Sequence, residues 1–276
     1  MPELPEVETI ARHLHGSLSG ELLRGVRVLG PGCLATPRAE LCRVAEGSRV
    51  KRVWRRAKLL LLETEEGGHL AFHLKMTGSL IVARHAESSL DKHTHLVFTL
   101  PGEWALFYRD VRKFGYCRAF ASEAELAAWP FFTSLGPEPL QIGADAFASR
   151  FRGRRALIKP LLLDQKVVAG IGNIYADEAL HLAGIHPATR ANQLGEEAYR
   201  RLHATLIRVL QEAIAAGGST FSDFVDSRGA SGRFQESFRV YRRAGEPCLG
   251  CGQPLHRITV SGRGSVFCPR CQPPPE

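Results

Sequence analysis

Four cysteines near the C-terminal end constrain the fold of this chain more than any other feature. They follow the pattern C-x2-C-x16-C-x2-C, and Gly250 and Gly252 ease the tight turns of the first pair. This spacing is typical of four-thiolate zinc sites, in which each cysteine pair binds one side of a tetrahedral ion. Four thiolates leave no coordination position for water. We therefore predict one structural Zn²⁺ held by Cys248, Cys251, Cys268 and Cys271.

The rest of the composition predicts a soluble, intracellular protein. The chain has 276 residues, which favours two domains. It has neither a run of about 18 apolar residues, as a membrane span requires, nor a basic-then-apolar signal sequence. Thiols stay reduced inside cells, so zinc is favoured over disulfides. The other cysteines are scattered, and we predict small buried residues or inert thiols at Cys33, Cys42 and Cys117.

Clustered positive charge indicates a polyanionic partner. The net charge is +8, and two ten-residue windows, 49–58 and 150–159, are dense in arginine and lysine. From Arg228 onward there are eight arginines and no lysine. A single cluster is usually a solvated surface, but the planar arginine fork suits phosphate groups. The combination favours phosphate contacts.

The order of predicted elements is typical of an α+β protein. An amphipathic helix opens the chain, and apolar runs separated by turns then predict a β-sandwich or barrel on which this helix packs. A Gly- and Pro-rich linker over 132–140 precedes a helical region. Predicted helices cover 5–18, 156–164, 175–183 and 196–216, and predicted strands cover 59–64, 69–77, 95–100 and 103–109. The domains expected are 1–132, 133–238 with a mobile loop over 219–238, and 239–276.

The first nine residues, MetProGluLeuProGluValGluThr, contain a candidate catalytic nucleophile. A small second residue permits removal of Met1, which leaves Pro2 as a free secondary amine. Its pKa near ~8 lies below the ~10.4 of lysine, so more of it is nucleophilic at neutral pH. Its attack on an aldehyde carbon gives a cationic iminium that favours elimination. The simpler interpretation is a helix entry with Pro5 in the first turn, and the two are compatible.

A glycine turn precedes one of the predicted helices. Gly170 and Gly172 come directly before Asn173, so backbone N–H groups there can cradle a phosphate. The competing interpretation is a dinucleotide-binding fingerprint. That motif needs a third glycine where Tyr175 stands, so we favour contact with a nucleic-acid backbone.

Several motifs together resemble the formamidopyrimidine-DNA glycosylase family. They are the first nine residues, ArgArgAlaLysLeuLeuLeu (55–61), AspValArgLysPheGly (110–115), GlyIleGlyAsnIleTyrAla (170–176) and the finger segment 261–272. The resemblance covers essentially the whole chain in the same order. It implies an N-terminal β-sandwich with packed helices, a helix–two-turn–helix domain and a zinc finger. It also implies excision of oxidised purines from duplex DNA, followed by β,δ-elimination at the abasic site.

The resemblance also implies the residues that carry the reaction. Pro2 corresponds to the nucleophile, Glu3 to the group that moves protons, and Lys58 to a lysine that contacts the lesion and assists proton transfer. Arg263 corresponds to the finger-tip arginine at the phosphate eliminated last. The void left by the extruded base is filled by residues corresponding to Met76, Arg112 and Phe114. DNA contacts are implied for His93, Arg154 and Asn173, with Lys159 and His73 as additional candidates.

The partner implied is damaged double-stranded DNA, bound by a monomer in the bacterial cytoplasm. The loop over 219–238 is expected to fold over the extruded purine. Two other functions stay open. Related endonuclease VIII enzymes act on oxidised pyrimidines, but they typically have glycine where Leu4 stands and lack a close match to 112–114. A non-catalytic zinc-ribbon protein would explain the charge and the finger, but it leaves Pro2, Glu3 and Lys58 unexplained.

Overall fold

The computed structural model describes residues 1–84, 91–219 and 232–275. The chain divides into two compact units. The first contains Met1–Thr133 and Ala216–Arg233, and the second contains Ser134–Ala215 and Phe234–Glu276. Residues 220–231 of the predicted mobile loop lie outside the described residues. The three-part division at 132/133 and 238/239 stays a prediction.

The first unit is a β-sandwich with helices packed on it. Two four-stranded antiparallel sheets have the strand orders β1-β6-β7-β5 and β2-β3-β4-β8. The strands are β1 (Gly25–Val28), β2 (Val50–Arg56), β3 (Leu59–Thr64), β4 (His69–His73), β5 (Gly78–Arg84), β6 (Thr94–Thr99), β7 (Trp104–Asp110) and β8 (Tyr116–Phe120). The helices are α1 (Leu4–Leu18), α2 (Arg38–Ala45), α3 (Glu123–Ala128) and α4 (Pro130–Thr133), with a 3₁₀ turn at Pro31–Cys33.

Side chains from both sheets and from α1 form the core of this unit. Val7 and Leu14 of α1 belong to one apolar cluster with Leu62 of β3 and Phe98 of β6. Strand β3 is buried on both faces, because Leu61 on its other side packs in a second cluster with residues of the α3 region. Double burial explains the continuous run of four leucines in β3, where a half-exposed strand would alternate apolar and polar residues.

The second unit is helical and ends in a β-hairpin. Its helices are α5 (Ala144–Ser149), α6 (Ile158–Leu163), α7 (Asn173–Ala183) and α8 (Glu196–Ala215), with 3₁₀ turns at Ala191–Gln193 and Phe234–Ser237. Strands β9 (His256–Val260) and β10 (Arg263–Phe267) pair antiparallel. The predicted α+β class, with a β-sandwich, a helical domain and a zinc finger, is confirmed. Within the described residues, no helix is long and apolar enough to span a membrane.

Of the differences between the predicted elements and the structure, two have a clear physical reason. The strand predicted over 69–77 ends at His73, because Lys75 adopts a positive φ of 49° and the chain turns. Strand β2 was not predicted, since its side chains form much of the basic cluster at 49–58. Glu63 on β3 accepts hydrogen bonds from Lys51 and Arg52 across the pair of strands. Cross-strand ion pairing accommodates charges that conceal the strand pattern in the sequence.

Candidate active site and DNA-contact surface

The N-terminal residues are held by the first turn of α1. Glu3 is the N-cap, and a reciprocal capping box joins it to Glu6. In this box the Glu3 backbone N–H donates to Glu6 Oε2 over 2.8 Å, and the Glu3 side chain accepts from the Glu6 backbone. Pro2 is buried, whereas Met1 is 47% exposed. The capping box thus orients Pro2 and Glu3 relative to a rigid helix.

The buried Glu6 carboxylate also fixes a distant segment of the same unit. Its Oε1 accepts from the backbone N–H of Ser219 over 2.8 Å and from the Ser219 hydroxyl over 3.0 Å. Gly218 adopts φ +81°, and a Cβ there would lie 3.0 Å from Glu6 Cγ. By sequence alone, Glu6 is only an acidic residue in the first turn of the helix predicted over 5–18. Its partner is 213 residues away along the chain, so no local pattern could have identified this contact.

Lys58 is located in the tight turn between β2 and β3. Arg56 pairs with Leu59 across this turn, and Ala57 adopts a positive φ of 55°. The next strand pairs Leu59 with His73. Lys58 is only 7% exposed, so neighbouring residues cover most of its side chain.

His73, one of the additional candidates for DNA contact, is the last residue of β4. It is buried, and this burial together with the charges of Lys75 and Lys58 lowers the pKa of His73 to about 3. Its Nδ1 accepts a hydrogen bond from the Lys75 backbone N–H over 3.2 Å. His73 is therefore neutral at physiological pH, and its ring supports the adjacent turn. Contact between His73 and DNA stays a prediction.

The candidate void-filling residues occupy two adjacent turns of the first unit. Met76 lies between β4 and β5 and is 44% exposed, and Phe114 lies between β7 and β8 and is 56% exposed. The Arg112 guanidinium lies 4.7 Å from the centroid of the Phe114 ring. The turns touch, because the Arg112 backbone N–H donates to the Thr77 hydroxyl over 3.0 Å. The structure thus brings all three predicted residues together and leaves their side chains at the surface.

His93 lies just before β6 and is partly exposed. Its backbone N–H donates to Asp91 Oδ1 over 2.9 Å, which closes the turn that carries it. Asp91 is in turn ion-paired to Arg109. The nearby His95 is different: it is buried, and its Nε2 bonds the Asp110 carbonyl over 2.8 Å.

In the second unit, Asn173 begins α7 after the glycine turn. The turn is closed by Gln165, whose Oε1 accepts from the Gly170 backbone N–H over 2.8 Å. Asn173 Nδ2 donates to the Gly264 carbonyl of the C-terminal hairpin over 3.1 Å. Arg263 precedes this glycine and is exposed at the start of β10. Arg154 is also exposed.

Lys159 is not a surface residue, so its predicted contact with DNA is wrong in this conformation. The side chain is 0% exposed, and its Nζ lies 2.6 Å from Asp177 Oδ1 on α7. The same nitrogen donates to the Gly264 carbonyl over 3.0 Å and to the Ser265 hydroxyl over 2.6 Å. Asp177 Oδ2 accepts from the Val266 backbone N–H over 3.2 Å. This buried ion pair attaches β10, and with it the backbone beside Arg263, to the helices.

The four C-terminal cysteines form a metal-binding cluster. Their sulfur atoms all lie within 4.8 Å of one another. The Cys251 and Cys268 sulfurs are 3.4 Å apart, and those of Cys248 and Cys271 are 3.9 Å apart. Sulfur ligands at about 2.3 Å from a tetrahedral zinc ion are about 3.8 Å from one another, so the donor set fits zinc. The remaining cysteines do not contribute, and burial raises the pKa of Cys33 to about 11.

Comparisons with known proteins agree with this geometry. Residues 1–117 match the formamidopyrimidine-DNA glycosylase N-terminal domain, 135–225 match the H2TH domain of the same enzymes, and 245–274 match a zinc finger found in FPG and IleRS. A formamidopyrimidine-DNA glycosylase of Desulforamulus reducens is 43% identical over 276 residues, covering 99% of each chain. The chain belongs to the formamidopyrimidine-DNA glycosylase family.

Solved structures of this family are similar to the whole chain. A mutant of the Lactococcus lactis enzyme in complex with a Fapy-dG containing DNA has a TM-score of 0.93 and 36% identity, covering 99% of this chain and 100% of that one. The wild-type Lactococcus lactis enzyme with an oxidised-pyrimidine-containing DNA has a TM-score of 0.91, with the same identity and coverage. The resemblance, the glycosylase and abasic-site lyase activity, the DNA partner and the structural zinc site are thereby confirmed.

Proposed function

We propose that Pro2 is the nucleophile of this glycosylase. The observation that carries the proposal is its burial directly before α1, in a backbone that the Glu3–Glu6 capping box orients. Removal of the exposed Met1 frees the secondary amine without altering the helix. The Pro2 nitrogen then bonds C1′ of the damaged nucleotide as the bond to the base breaks. Opening of the sugar ring gives an iminium, which draws electrons from C2′.

Glu3 and Lys58 carry the proton transfers in this proposal. Glu3 is adjacent to the nucleophile, and it moves a proton during base loss and ring opening. Lys58 contacts the lesion and assists proton transfer, from a turn whose neighbouring His73 is neutral. Loss of the C2′ proton breaks the C3′–O bond, and a second elimination breaks the C5′–O bond. Arg263, exposed at the tip of the C-terminal hairpin, binds the phosphate that leaves last.

Met76, Arg112 and Phe114 fill the void that an extruded base leaves in the duplex. A glycosylase must take its target out of the stack, and an unfilled gap costs stacking energy. Large apolar side chains usually lie in a core, yet Met76 and Phe114 are about half exposed here. The Phe114 ring lies beside the Arg112 guanidinium, and the Arg112 backbone is bonded to Thr77 in the turn of Met76. This arrangement suits insertion between bases.

The phosphate contacts come from partly exposed and exposed polar side chains. His93 extends from the sandwich, and Arg154 and Asn173 belong to the helical unit. The N-terminus of α7 adds backbone N–H groups favourable to a phosphate. We exclude Lys159 from this set, because its side chain is fully buried and ion-paired to Asp177. The enzyme acts as a monomer in the bacterial cytoplasm, and its substrate is damaged DNA of the nucleoid.

The preferred lesions in this proposal are 8-oxoguanine and ring-opened formamidopyrimidines. Leu4 is buried at the start of α1, where endonuclease VIII enzymes typically have glycine, and the Arg112–Phe114 turn is intact. Single-turnover cleavage of 8-oxoguanine opposite cytosine should exceed cleavage of thymine glycol opposite adenine. The opposite order would place the chain with the pyrimidine enzymes and leave the chemistry of Pro2 intact.

Borohydride trapping tests the nucleophile. Reduction of the iminium should link the processed enzyme covalently to abasic DNA, and mass spectrometry should locate the adduct on Pro2. A variant that retains Met1 should form no adduct, because its Pro2 nitrogen is an amide. Pro2→Gly should keep part of the reaction through its primary amine. An adduct on Lys58, or no adduct at all, would refute the proposal.

A further inference from the structure

A buried carboxylate lies beneath the two turns that carry Met76 and Phe114. Asp110, the last residue of β7, is 0% exposed. Its Oδ1 accepts from the Thr77 hydroxyl and from the Arg112 backbone N–H, the latter over 3.2 Å. Its Oδ2 accepts from the Gly115 backbone N–H over 2.7 Å. One side chain therefore bonds both turns, 74–77 and 111–115.

Neither turn closes a β-hairpin. The first connects β4 to β5 and the second connects β7 to β8, and in each case the two strands belong to different sheets. Strands β5 and β7 pair with each other up to Gly78 and Asp110, so both turns begin where this ladder ends. The bonds through the Asp110 carboxylate join the two crossovers beyond the end of the ladder.

The backbone around Asp110 leaves little freedom. Its N–H donates to the His93 carbonyl over 2.9 Å, and its own carbonyl bonds His95 Nε2 over 2.8 Å. On the other side, Gly115 is tightly seated, since a Cβ there would lie 2.3 Å from Tyr108 Oη. The Asp110 carboxylate is thus fixed in position, and both turns form hydrogen bonds to it.

We propose that Asp110 is a positioning residue that holds Met76, Arg112 and Phe114 at a set separation, so that they enter the duplex as one unit. This inference rests on the void-filling role proposed above for these three side chains. Asp110 itself touches no DNA in this proposal, because its carboxylate is wholly enclosed. Its effect is confined to substrates in which a base must leave an intact stack.

The test compares two substrates, of which only one requires the void to be filled. Excision of 8-oxoguanine from a duplex requires the void to be filled, whereas cleavage of a single-stranded abasic oligonucleotide requires only the elimination chemistry. Asp110→Asn loses at least one bond, because its amide NH₂ faces an N–H or O–H donor. We expect about a tenfold or greater loss of single-turnover excision, the usual effect of losing a hydrogen bond to a charged group. Cleavage of the single strand should stay near the parental rate.

Thr77→Val is the milder companion variant, since it removes one bond to the carboxylate and changes little volume. Thr64→Val is its matched control. The Thr64 hydroxyl accepts from the Gly68 backbone N–H over 3.0 Å in a turn of the same unit that carries no proposed site residue. Thr64→Val should leave both activities unchanged. Duplexes that lack a base opposite 8-oxoguanine should partly rescue Asp110→Asn and Thr77→Val, since less stacking is disrupted.

Met76→Ala separates this proposal from the one on which it rests. If Met76→Ala is impaired on the duplex but folded Asp110→Asn and Thr77→Val are not, the positioning role of Asp110 is refuted and the void-filling role stands. If Met76→Ala is also unimpaired, both proposals fail. A parallel loss of duplex and single-strand activity in Thr77→Val would indicate general damage to the fold, and it too would refute the positioning role.

Discussion

At the scale of single residues, Glu3 combines two tasks that substitution can separate. Its side chain caps α1 by accepting from the Glu6 backbone, and in our proposal it also transfers protons beside Pro2. A glutamine retains an oxygen for the cap but cannot donate and recover a proton. The structural and chemical contributions of Glu3 can therefore be measured independently.

We expect Glu3→Gln to slow single-turnover base excision by about 10²- to 10⁴-fold, the usual contribution of general acid–base catalysis. The melting temperature should change little, because the cap is retained. Glu3→Ala, which removes the cap as well, should lower the free energy of unfolding by about 1 kcal/mol. Unchanged excision by Glu3→Gln would contradict the catalytic role.

At the scale of elements, the strand β4 carries a histidine whose ionisation opposes folding. Since the pKa of His73 is about 3 in the folded protein and about 6.5 when unfolded, only the unfolded chain takes up this proton between those values. Stability is therefore lost as pH falls from about 6.5 towards 3.

The variant His73→Asn should remove this dependence while offering an acceptor to the Lys75 backbone. Between pH 5.5 and 4 the free energy of unfolding of the parent should fall by up to about 1.4 kcal/mol per pH unit more than that of the variant. This is the slope expected when unfolding takes up one proton. Denaturant unfolding at several pH values measures the difference. Above pH 7 the two curves should run parallel, and parallel curves below pH 6 would show that His73 titrates normally.

Helices α6 and α7 are joined to β10 by the buried pair Lys159–Asp177. Lys159→Met leaves the Asp177 carboxylate without its cationic partner, so we expect the free energy of unfolding to fall by about 3–5 kcal/mol. Adding Asp177→Asn should recover part of this loss, since the amide oxygen still accepts from Val266. If Lys159→Met is instead as stable as the parent, the pair has no structural importance.

At the scale of the whole molecule, the net charge of +8 predicts strongly salt-dependent binding. The proposed contacts are directed mainly to phosphates, so affinity should depend little on sequence around the lesion. In duplex DNA each neutralised phosphate contributes about −0.9 to the slope of log K against log salt.

Arg154→Ala should reduce the magnitude of this slope by about one unit, as the loss of one phosphate contact requires. The control is Arg208→Ala, which removes an exposed arginine of α8 that pairs with Glu212 over 2.7 Å. Its slope should equal that of the parent in filter-binding or anisotropy titrations. Equal slopes for all three proteins would exclude Arg154 from the DNA-contact surface.

The sequence by itself determined the features that depend on local spacing. Two cysteine pairs with this spacing are typical of a shared metal ion, so the sequence predicted the zinc finger. Helical periodicity located α1 and α8, and the leucine run located β3. The motif order identified the family and the candidate residues Pro2 and Glu3.

The tertiary structure decided which polar residues are buried and what they bind. Lys159 and Arg154 belong to one basic cluster, yet the first is enclosed against Asp177 and the second is exposed. Glu6 and Asp110 looked like ordinary acidic residues, but they bond segments that the chain brings close only on folding. Spacing along a chain reports its local conformation. Burial depends on which distant segments meet, and it sets whether a charge faces water, DNA or a partner inside the protein.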